Sequence, residues 1–351
     1  MLSIAQRRDF RQMLLAWFDT HARDLPWRRT RDPYAIWVSE IMLQQTRVVA
    51  VIEHYARFMQ RFPALDALAS AREEDVLAVW SGLGYYRRAR MLHRAAQKVQ
   101  AELGGVMPKT AEELRDLPGI GAYTSAAVAS IAFGEAAAAV DGNVERVLMR
   151  VQGWDESNAS ATRLRETAAE FLDAARPGDF NQAMMELGAT ICVPRGPLCL
   201  QCPVQPLCAT RGEHLTGERK KMQSRTVSHA FARRRGRVLL AQRPKDASLM
   251  PGMWELPSLE SGAAPQSLRV LEVKHAITVT NYTVGVYDFS AAGDEALPKT
   301  EQVMRWFAVS ALHEVALTGL ARKVLKKLGA FPKIAAHAKS VTDTDSNMGV
   351  R

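Results

Sequence analysis

Leu117-Pro118-Gly119-Ile120-Gly121-Ala122-Tyr123-Thr124 lies between two stretches of helical pattern, and its reading decides the first half of the fold. Two glycines one residue apart let a backbone turn tightly and approach another surface closely. The segment from about Ala122 then reads as a helix, so the amides near Gly119 and Gly121 open onto its N-terminus. Exposed amides at a helix N-terminus suit a phosphate oxygen. Taken alone, Gly-x-Gly is also an ordinary turn. Upstream, Thr110 and Glu113 stand at capping-box spacing, and Asp32-Pro33 reads as an N-cap followed by the first residue of another helix. Gly134 and Gly153 read as helix stops. Apolar residues recur at three- and four-residue intervals through residues 1–211, which therefore read as mostly helical.

Downstream of that turn lie all four cysteines, spaced Cys192-x6-Cys199-x2-Cys202-x5-Cys208. So tight a cluster points to a metal rather than to disulfides. Four thiolates within seventeen residues can converge on one centre. Zinc commonly takes two separated Cys-x2-Cys knuckles, and only one close pair occurs here. Iron–sulfur clusters accept more varied loops, so an iron–sulfur centre and a structural zinc both stand at this point. All four positions are protein thiolates, which suits a structural or docking role. Arg195, between the first two cysteines, is either a phosphate contact or a solvated surface arginine.

The pattern changes after a charged stretch at 212–225, which reads as a connector. Arg237–Ala241 and Thr278–Tyr287 have strand character, and Leu320–Leu328 reads as one amphipathic helix. Residues 226–330 are expected to form a separate α+β domain, with a loose tail over 331–351. The chain has 351 residues, 47% of them hydrophobic, and a formal charge of +9. That is enough for two or three domains, and the basic balance favours a polyanionic partner. No apolar run approaches the ~20 residues needed to span a bilayer. The N-terminus lacks an apolar signal core, so an intracellular, cytoplasmic protein is expected.

Taken together, the Gly119–Gly121 turn and the cysteine spacing resemble the helix–hairpin–helix glycosylase superfamily of endonuclease III and the MutY adenine glycosylases. In those families the four cysteines hold a four-iron four-sulfur (4Fe-4S) cluster, and the resemblance implies one here. The resemblance further implies a helix–hairpin–helix near 110–133 that grips DNA backbone through Gly119 and Gly121. Asp141, within Val140-Asp141-Gly142-Asn143-Val144, matches the superfamily's essential aspartate. Without the resemblance it would read as an Asp-Gly turn. Tyr123 occupies the position where bifunctional relatives carry a lysine that forms a Schiff base. A phenol cannot do that, which implies a monofunctional enzyme.

Val38-Ser39-Glu40-Ile41-Met42-Leu43-Gln44-Gln45-Thr46 closely resembles the MutY motif. On a helix Ile36, Glu40 and Leu43 share one stripe. A carboxyl among apolar neighbours should hold its proton to a raised pH, unless it is paired with an arginine. Under the resemblance Glu40 protonates N7 of adenine and Asp141 stabilises the sugar cation. Asn143 bonds near the acid and the sugar. Trp27 and Arg28 contribute pocket walls, Leu43 packs on the base, and Glu186 reads the adenine edge. For Trp27 and Leu43 core packing is an equally good account. Gln45 would fill the space left by an extruded base. Tyr85, in Gly82-Leu83-Gly84-Tyr85-Tyr86, matches the stacking tyrosine of the intercalation loop, although a core aromatic pair is the alternative. Arg87, Arg88 and Arg90 are further candidates for phosphate contact.

Gly252-Met253-Trp254-Glu255-Leu256-Pro257 resembles the Nudix-like domain of the MutY family, yet the glutamate-rich box of Nudix pyrophosphatases is absent. This domain is therefore expected to recognise and not to cut. MutY relatives carry Phe-Ser-His in a lesion-probing loop, and the comparable stretch is taken as Val273-Lys274-His275. Lys274 and His275 thus become candidates for lesion or phosphate contact, or an exposed hairpin pair with no role. The expected partner is double-stranded DNA with 8-oxoguanine:adenine or guanine:adenine mispairs, bound by a monomer. A glycosylase/lyase and a catalytically silent DNA-binding module are the competing readings.

Overall fold

The computed structural model describes residues 2–155, 157–213, 222–260, 265–277, 280–298 and 300–332. Eleven helices build the first part: α1 (Ile4–His21), α2 (Pro33–Leu43), α3 (Val48–Arg61), α4 (Leu65–Ala69), α5 (Glu73–Trp80), α6 (Arg87–Glu102), α7 (Ala111–Leu114), α8 (Ala122–Phe133), α9 (Gly142–Gln152), α10 (Ala161–Phe171) and α11 (Pro177–Thr190). Their ends carry the chemistry anticipated above. The Asp32 side chain accepts from the Tyr34 amide at 3.1 Å, and Thr110 and Glu113 form a reciprocal capping box. Gly134 and Gly153 end α8 and α9 in the left-handed region, where a residue without Cβ pays no steric cost.

The apolar faces of these helices divide into two clusters. One gathers α2 to α8 around Trp37, Phe58, Trp80 and Leu92. The other joins α1, α9, α10 and α11 around Phe10, Val147, Phe171 and Leu187, and takes in Val204 and three of the cysteines from the loop that follows. α8 packs on α2 and also on α11, and α11 packs on α9, so the two clusters meet along α8 and α11. Helix α2 is buried from Tyr34 through Met42 on every side, as expected of a helix wholly inside a core.

The second part has β1 (Gln223–Phe231), β2 (Arg233–Arg234), β3 (Arg237–Gln242), β4 (Trp254–Glu255), β5 (Ser258–Leu259), β6 (Arg269–Ile277), β7 (Thr280–Asp288), β8 (Met304–Ala308) and α12 (Gly319–Lys327). One sheet runs β5-β1-β7-β6; the other runs β2-β3-β4, with β8 also paired to β3. β1 and β7 are parallel from Gln223↔Thr280 to Phe231↔Asp288, and β6 and β7 are antiparallel. Val238, Leu240, Val284, Val286, Leu317 and Val324 form the core between the sheets and α12.

The C-terminal part docks on the wedge between α5 and α6. Ser81 Oγ and Tyr86 Oη both donate to the Leu317 carbonyl, at 2.9 and 3.0 Å, and Arg90 Nη2 donates to the Pro251 carbonyl at 2.6 Å. Met253 and Ala316 join the first helical core cluster.

Three expectations change. β1 begins at Gln223, inside the stretch read as connector, because residues 223–225 pair with Thr280–Tyr282; residues 214–221 of that stretch lie outside the described residues. Phe331, assigned to the tail, is buried under α12 with Ala330; the rest of the tail from 333 lies outside the described residues. Val273-Lys274-His275 is not a loop but the middle of β6, paired with Val284, Thr283 and Tyr282. The pairing of β6 with β7 runs as far as Ile277↔Thr280, and residues 278–279 lie outside the described residues. No helix among the described residues is long and apolar enough to cross a membrane.

Candidate active site

The site is built at the seam between the two helical clusters, from α2 and α8 on one side and α9 and α11 on the other. Glu40 projects from α2 and is 5% exposed. Burial drives its pKa up, the Tyr123 hydrogen bond opposes this, and the charge of Asp141 pushes upward again; the balance stands at about 7. Tyr123, on the first turn of α8, donates its hydroxyl to Glu40 Oε2 at 2.5 Å and also lies 3.1 Å from Met185 Sδ of α11. Burial and the neighbouring carboxylates raise the Tyr123 phenol well above its ordinary value, so it stays a donor.

Asp141 is the N-cap of α9. Its Oδ1 accepts from the amides of Asn143 at 2.9 Å and Val144 at 2.8 Å. Its Oδ2 accepts from Asn143 Nδ2 at 2.8 Å. A carboxylate so placed faces the positive end of a helix dipole. Two carboxyls thus share one site under opposite conditions, one desolvated and one held by three N–H donors.

A further residue completes this arrangement. Arg146, one turn along α9, donates from Nη2 to Asn143 Oδ1 at 2.8 Å and to the Gly188 carbonyl at 2.7 Å, and from Nε to the Cys192 carbonyl at 2.8 Å. Gly188 is required here, since a Cβ on it would lie 2.6 Å from Asn143 Cβ. Arg146 escaped sequence reading, although its spacing of three from Asn143 on a helix started by Asp141 puts the two on one face.

Glu186 is buried on α11, and both its oxygens are engaged. Arg23 Nε and Nη2 reach them at 2.7 Å each, and Arg28 Nη2 at 2.9 Å. Burial alone would raise its pKa, but the two guanidiniums outweigh it and hold it at about 2. Arg28 also stacks on Phe18 at 5.3 Å. Trp27 packs edge-on to Tyr55 at 5.5 Å inside the first core cluster, and Leu43 is partly buried against the same cluster.

Gln45 and Tyr85 line one open cleft between the helical core and the C-terminal part. Both have positive φ, 55° and 49°. Non-glycine residues rarely adopt that conformation, and it clusters at functional sites. Tyr85 is 50% exposed. His275, with Ile277, lines the opposite wall. Lys274 is exposed, and its carbonyl accepts from Lys323 Nζ at 2.7 Å. Two of the three arginines suggested for phosphate contact are otherwise engaged. Arg88 donates to the Ile41 and Met42 carbonyls at the end of α2, while Arg90 pairs with Glu73 as well as Pro251. Arg87 is exposed on the cleft.

Gly119 has φ 78°, and a Cβ there would lie 2.4 Å from Met91 Cβ. Gly121 is exposed and forms the N-cap of α8. Cys192, Cys199, Cys202 and Cys208 are unbridged and line one small cavity with Arg150. Arg150 Nη1 and the Arg211 amide each approach a sulfur, Cys192 and Cys208, at 3.5 Å. Among the described residues no three His, Cys, Asp or Glu side chains close around a single-ion site. Arg195 is exposed on the loop between the first two cysteines.

Comparison with known proteins agrees with this geometry. Residues 38–174 match the model of the HhH-GPD superfamily base excision DNA repair proteins. A solved structure of a thermostable thymine-DNA glycosylase is 34% identical and superposes with a TM-score of 0.56, over 59% of this chain and 97% of its own. An endonuclease III–DNA complex shares the fold at 24% identity and a TM-score of 0.53, over 60% of this chain and 97% of its own. The helical part therefore defines a helix–hairpin–helix base-excision glycosylase. The chain is 38% identical to the human adenine DNA glycosylase over 407 residues, covering 92% of this chain and 74% of that protein. It belongs to the adenine DNA glycosylase family, DNA N-glycosylases of base-excision repair.

Proposed function

We propose that the protein is a monofunctional glycosylase that hydrolyses adenine from double-stranded DNA where it is mispaired with 8-oxoguanine, and also where it is mispaired with guanine. One observation carries the reading: a Glu40 carboxyl that keeps its proton to about pH 7, bonded to Tyr123 and within the field of Asp141. The adenine must leave the stack for its bond to be reached, and Gln45 and Tyr85 are placed to fill the gap. Glu40 gives its proton to N7 of the extruded base, so the base departs neutral. The electron pair of the glycosidic bond goes with the base, and the sugar gains oxocarbenium character. The Asp141 carboxylate stabilises that cation at C1′, as the second carboxylate does in retaining glycoside hydrolysis. Asn143 holds Asp141 in place. Water then adds to C1′, and Glu40 takes its proton back. Tyr123 has no amine, so no Schiff base forms and the strand is left uncut.

The four cysteines fit a 4Fe-4S cluster better than zinc. Only one close Cys-x2-Cys pair is present, all four cysteines line one small cavity, and N–H groups reach two of the sulfurs. When bound, such a cluster cross-links the loop through iron–thiolate bonds. Arg195, Gly119 and Gly121 contact DNA backbone. The C-terminal part is a Nudix-like lesion reader without the carboxylate box, presenting His275, Lys274 and the end of the β6–β7 hairpin. The protein acts as a monomer.

Single-turnover incubation with duplexes carrying adenine opposite 8-oxoguanine, guanine or thymine tests this. Alkali-labile sites should form fastest opposite 8-oxoguanine, and borohydride should trap no covalent adduct. No alkali-labile site at any of the three would defeat the reading.

A further inference from the structure

We propose that Arg57 of α3 and Arg322 of α12, one from each domain, clamp a single backbone phosphate of duplex DNA in the interdomain cleft. The inference rests on DNA as the substrate, not on the lesion read or on the roles of Glu40 and Asp141.

The two helices meet across Gly82, whose φ is 112° and whose missing Cβ would lie 3.1 Å from His54 Nε2 and 3.7 Å from Arg322 Cδ. Arg322 is 8% exposed. Its Nε donates to Ser81 Oγ at 3.1 Å, and its guanidinium lies 4.8 Å from the Phe331 ring. No carboxylate among the described residues pairs with it. Other buried and half-buried arginines differ in this respect. Arg28 pairs with Glu186, Arg88 is spent on the carbonyls ending α2, and Arg150 on the Val193 and Pro194 carbonyls.

Arg57 faces the same cleft, and its Nε is buried with no hydrogen-bond partner. Burial weakens the hold of Arg322 on its proton, Tyr86 opposes this, and the Arg57 charge weakens it again. His54 lies beside both; its Nδ1 is 2.9 Å from the Ala50 carbonyl oxygen, and burial favours the neutral ring. Lys323 and Lys326 lie further along the same wall, and Glu53 is the one carboxylate lining the cleft among the described residues.

Bringing two guanidiniums together across a domain boundary with no counter-ion is unfavourable. A phosphodiester removes that cost, with one unbridged oxygen accepting from each guanidinium. Arginine is suited to this because its planar fork matches phosphate geometry. Since α12 also holds the base of the Gly82–Tyr85 loop through Ser81, the same phosphate would press the C-terminal domain onto the wedge.

The test is binding to an undamaged duplex across a salt series, with Arg57→Gln, Arg322→Gln, the double variant and Arg322→Lys. Each glutamine variant should weaken binding about tenfold at 0.1 M salt and lower the slope of log K against log salt by roughly 0.9, the loss of one phosphate contact. The double variant should bind within about threefold of either single, because the phosphate is shared. Arg322→Lys should keep most of the slope. Without DNA, the melting temperature of Arg57→Gln should hold or rise. An unchanged slope in Arg57→Gln overturns the clamp, whether or not Arg322→Gln folds. A hundredfold loss in the double variant means two separate phosphates and also overturns it. So does inorganic phosphate raising the wild-type melting temperature through Arg57 while duplex affinity ignores that residue. None of these readouts depends on base excision.

Discussion

The hydroxyl of Tyr123 donates to Oε2 of Glu40 across 2.5 Å, linking the first turn of α8 to the last turns of α2. Burial raises the acid's pKa to about 7, and this bond works against the rise because it favours the charged carboxylate. Base release needs the protonated form, so the single-turnover rate should fall as pH rises through about 7. In Tyr123→Phe the opposing bond is gone. A hydrogen bond to a charged group contributes ~1.5–3 kcal/mol, and one pKa unit is ~1.4 kcal/mol. The falling limb should therefore move up by about one to two pH units, read from a single-turnover pH profile. A limb that stays in place or moves down rejects this role.

Glu40 should also make the fold pH-sensitive. Its folded pKa lies above the ordinary 4.5, so the stability it contributes is complete below pH 4.5 and lost as pH rises through 7. Glu40→Gln escapes that loss. The variant should be inactive yet more stable than the parent at pH 8, by up to about 3 kcal/mol, and little different at pH 4.5. Denaturant melts at the two pH values check this.

Asp141 serves both as a helix cap and as a proposed stabiliser of the sugar cation. Substitution can separate the two. Asp141→Asn keeps an acceptor for the Val144 amide and should cost under about 1 kcal/mol of stability, while Asp141→Ala should cost ~1–2 kcal/mol. Both should lower the single-turnover rate by roughly a thousandfold or more, since an electrostatic partner of the transition state is lost. Activity that tracked stability would leave Asp141 a cap alone.

Arg146 holds Asn143, Gly188 and Cys192 at one point. Arg146→Met removes every one of these bonds while keeping the stem. Asn143 should then hold Asp141 less firmly. The rate with saturating DNA should drop about ten- to a hundredfold, with affinity for undamaged duplex changed far less. Equal losses in both would indicate general disruption.

Glu186 is ionised between Arg23 and Arg28 and held at about 2. Its contribution is present above pH 4.5 and lost as pH falls through about 2. Glu186→Gln leaves two guanidiniums facing a neutral amide in a buried site, and breaking such a group costs ~3–5 kcal/mol. Thermal melts at pH 7 should show this loss.

Local chemistry made much of the helical part legible. Asp32-Pro33, the Thr110–Glu113 box and the terminal glycines at 134 and 153 act within a few residues of themselves, and each appears where the spacing put it. The stretches around Glu40 and Asp141 stood out only through their family resemblance. The stretch proposed to read the lesion was not legible. Whether Val273-Lys274-His275 lies in a loop or within a strand is a matter of strand register, which depends on pairing with β7. The roles of Arg88 and Arg90 were misjudged because an arginine beside a loop looks the same in sequence whether it faces solvent or a helix end.

Sequence alone determined where helices start and stop and that four thiols would gather in one loop, because these follow from neighbours along the chain; Glu40 and Asp141 were singled out only by their resemblance to a family motif. Tertiary structure alone decided that one carboxyl holds its proton and the other is cradled by amides, that both oxygens of Glu186 are taken, and that Arg57 and Arg322 line one cleft. Desolvation and charge depend on what folds against a side chain from far away in sequence, and no local pattern carries that information.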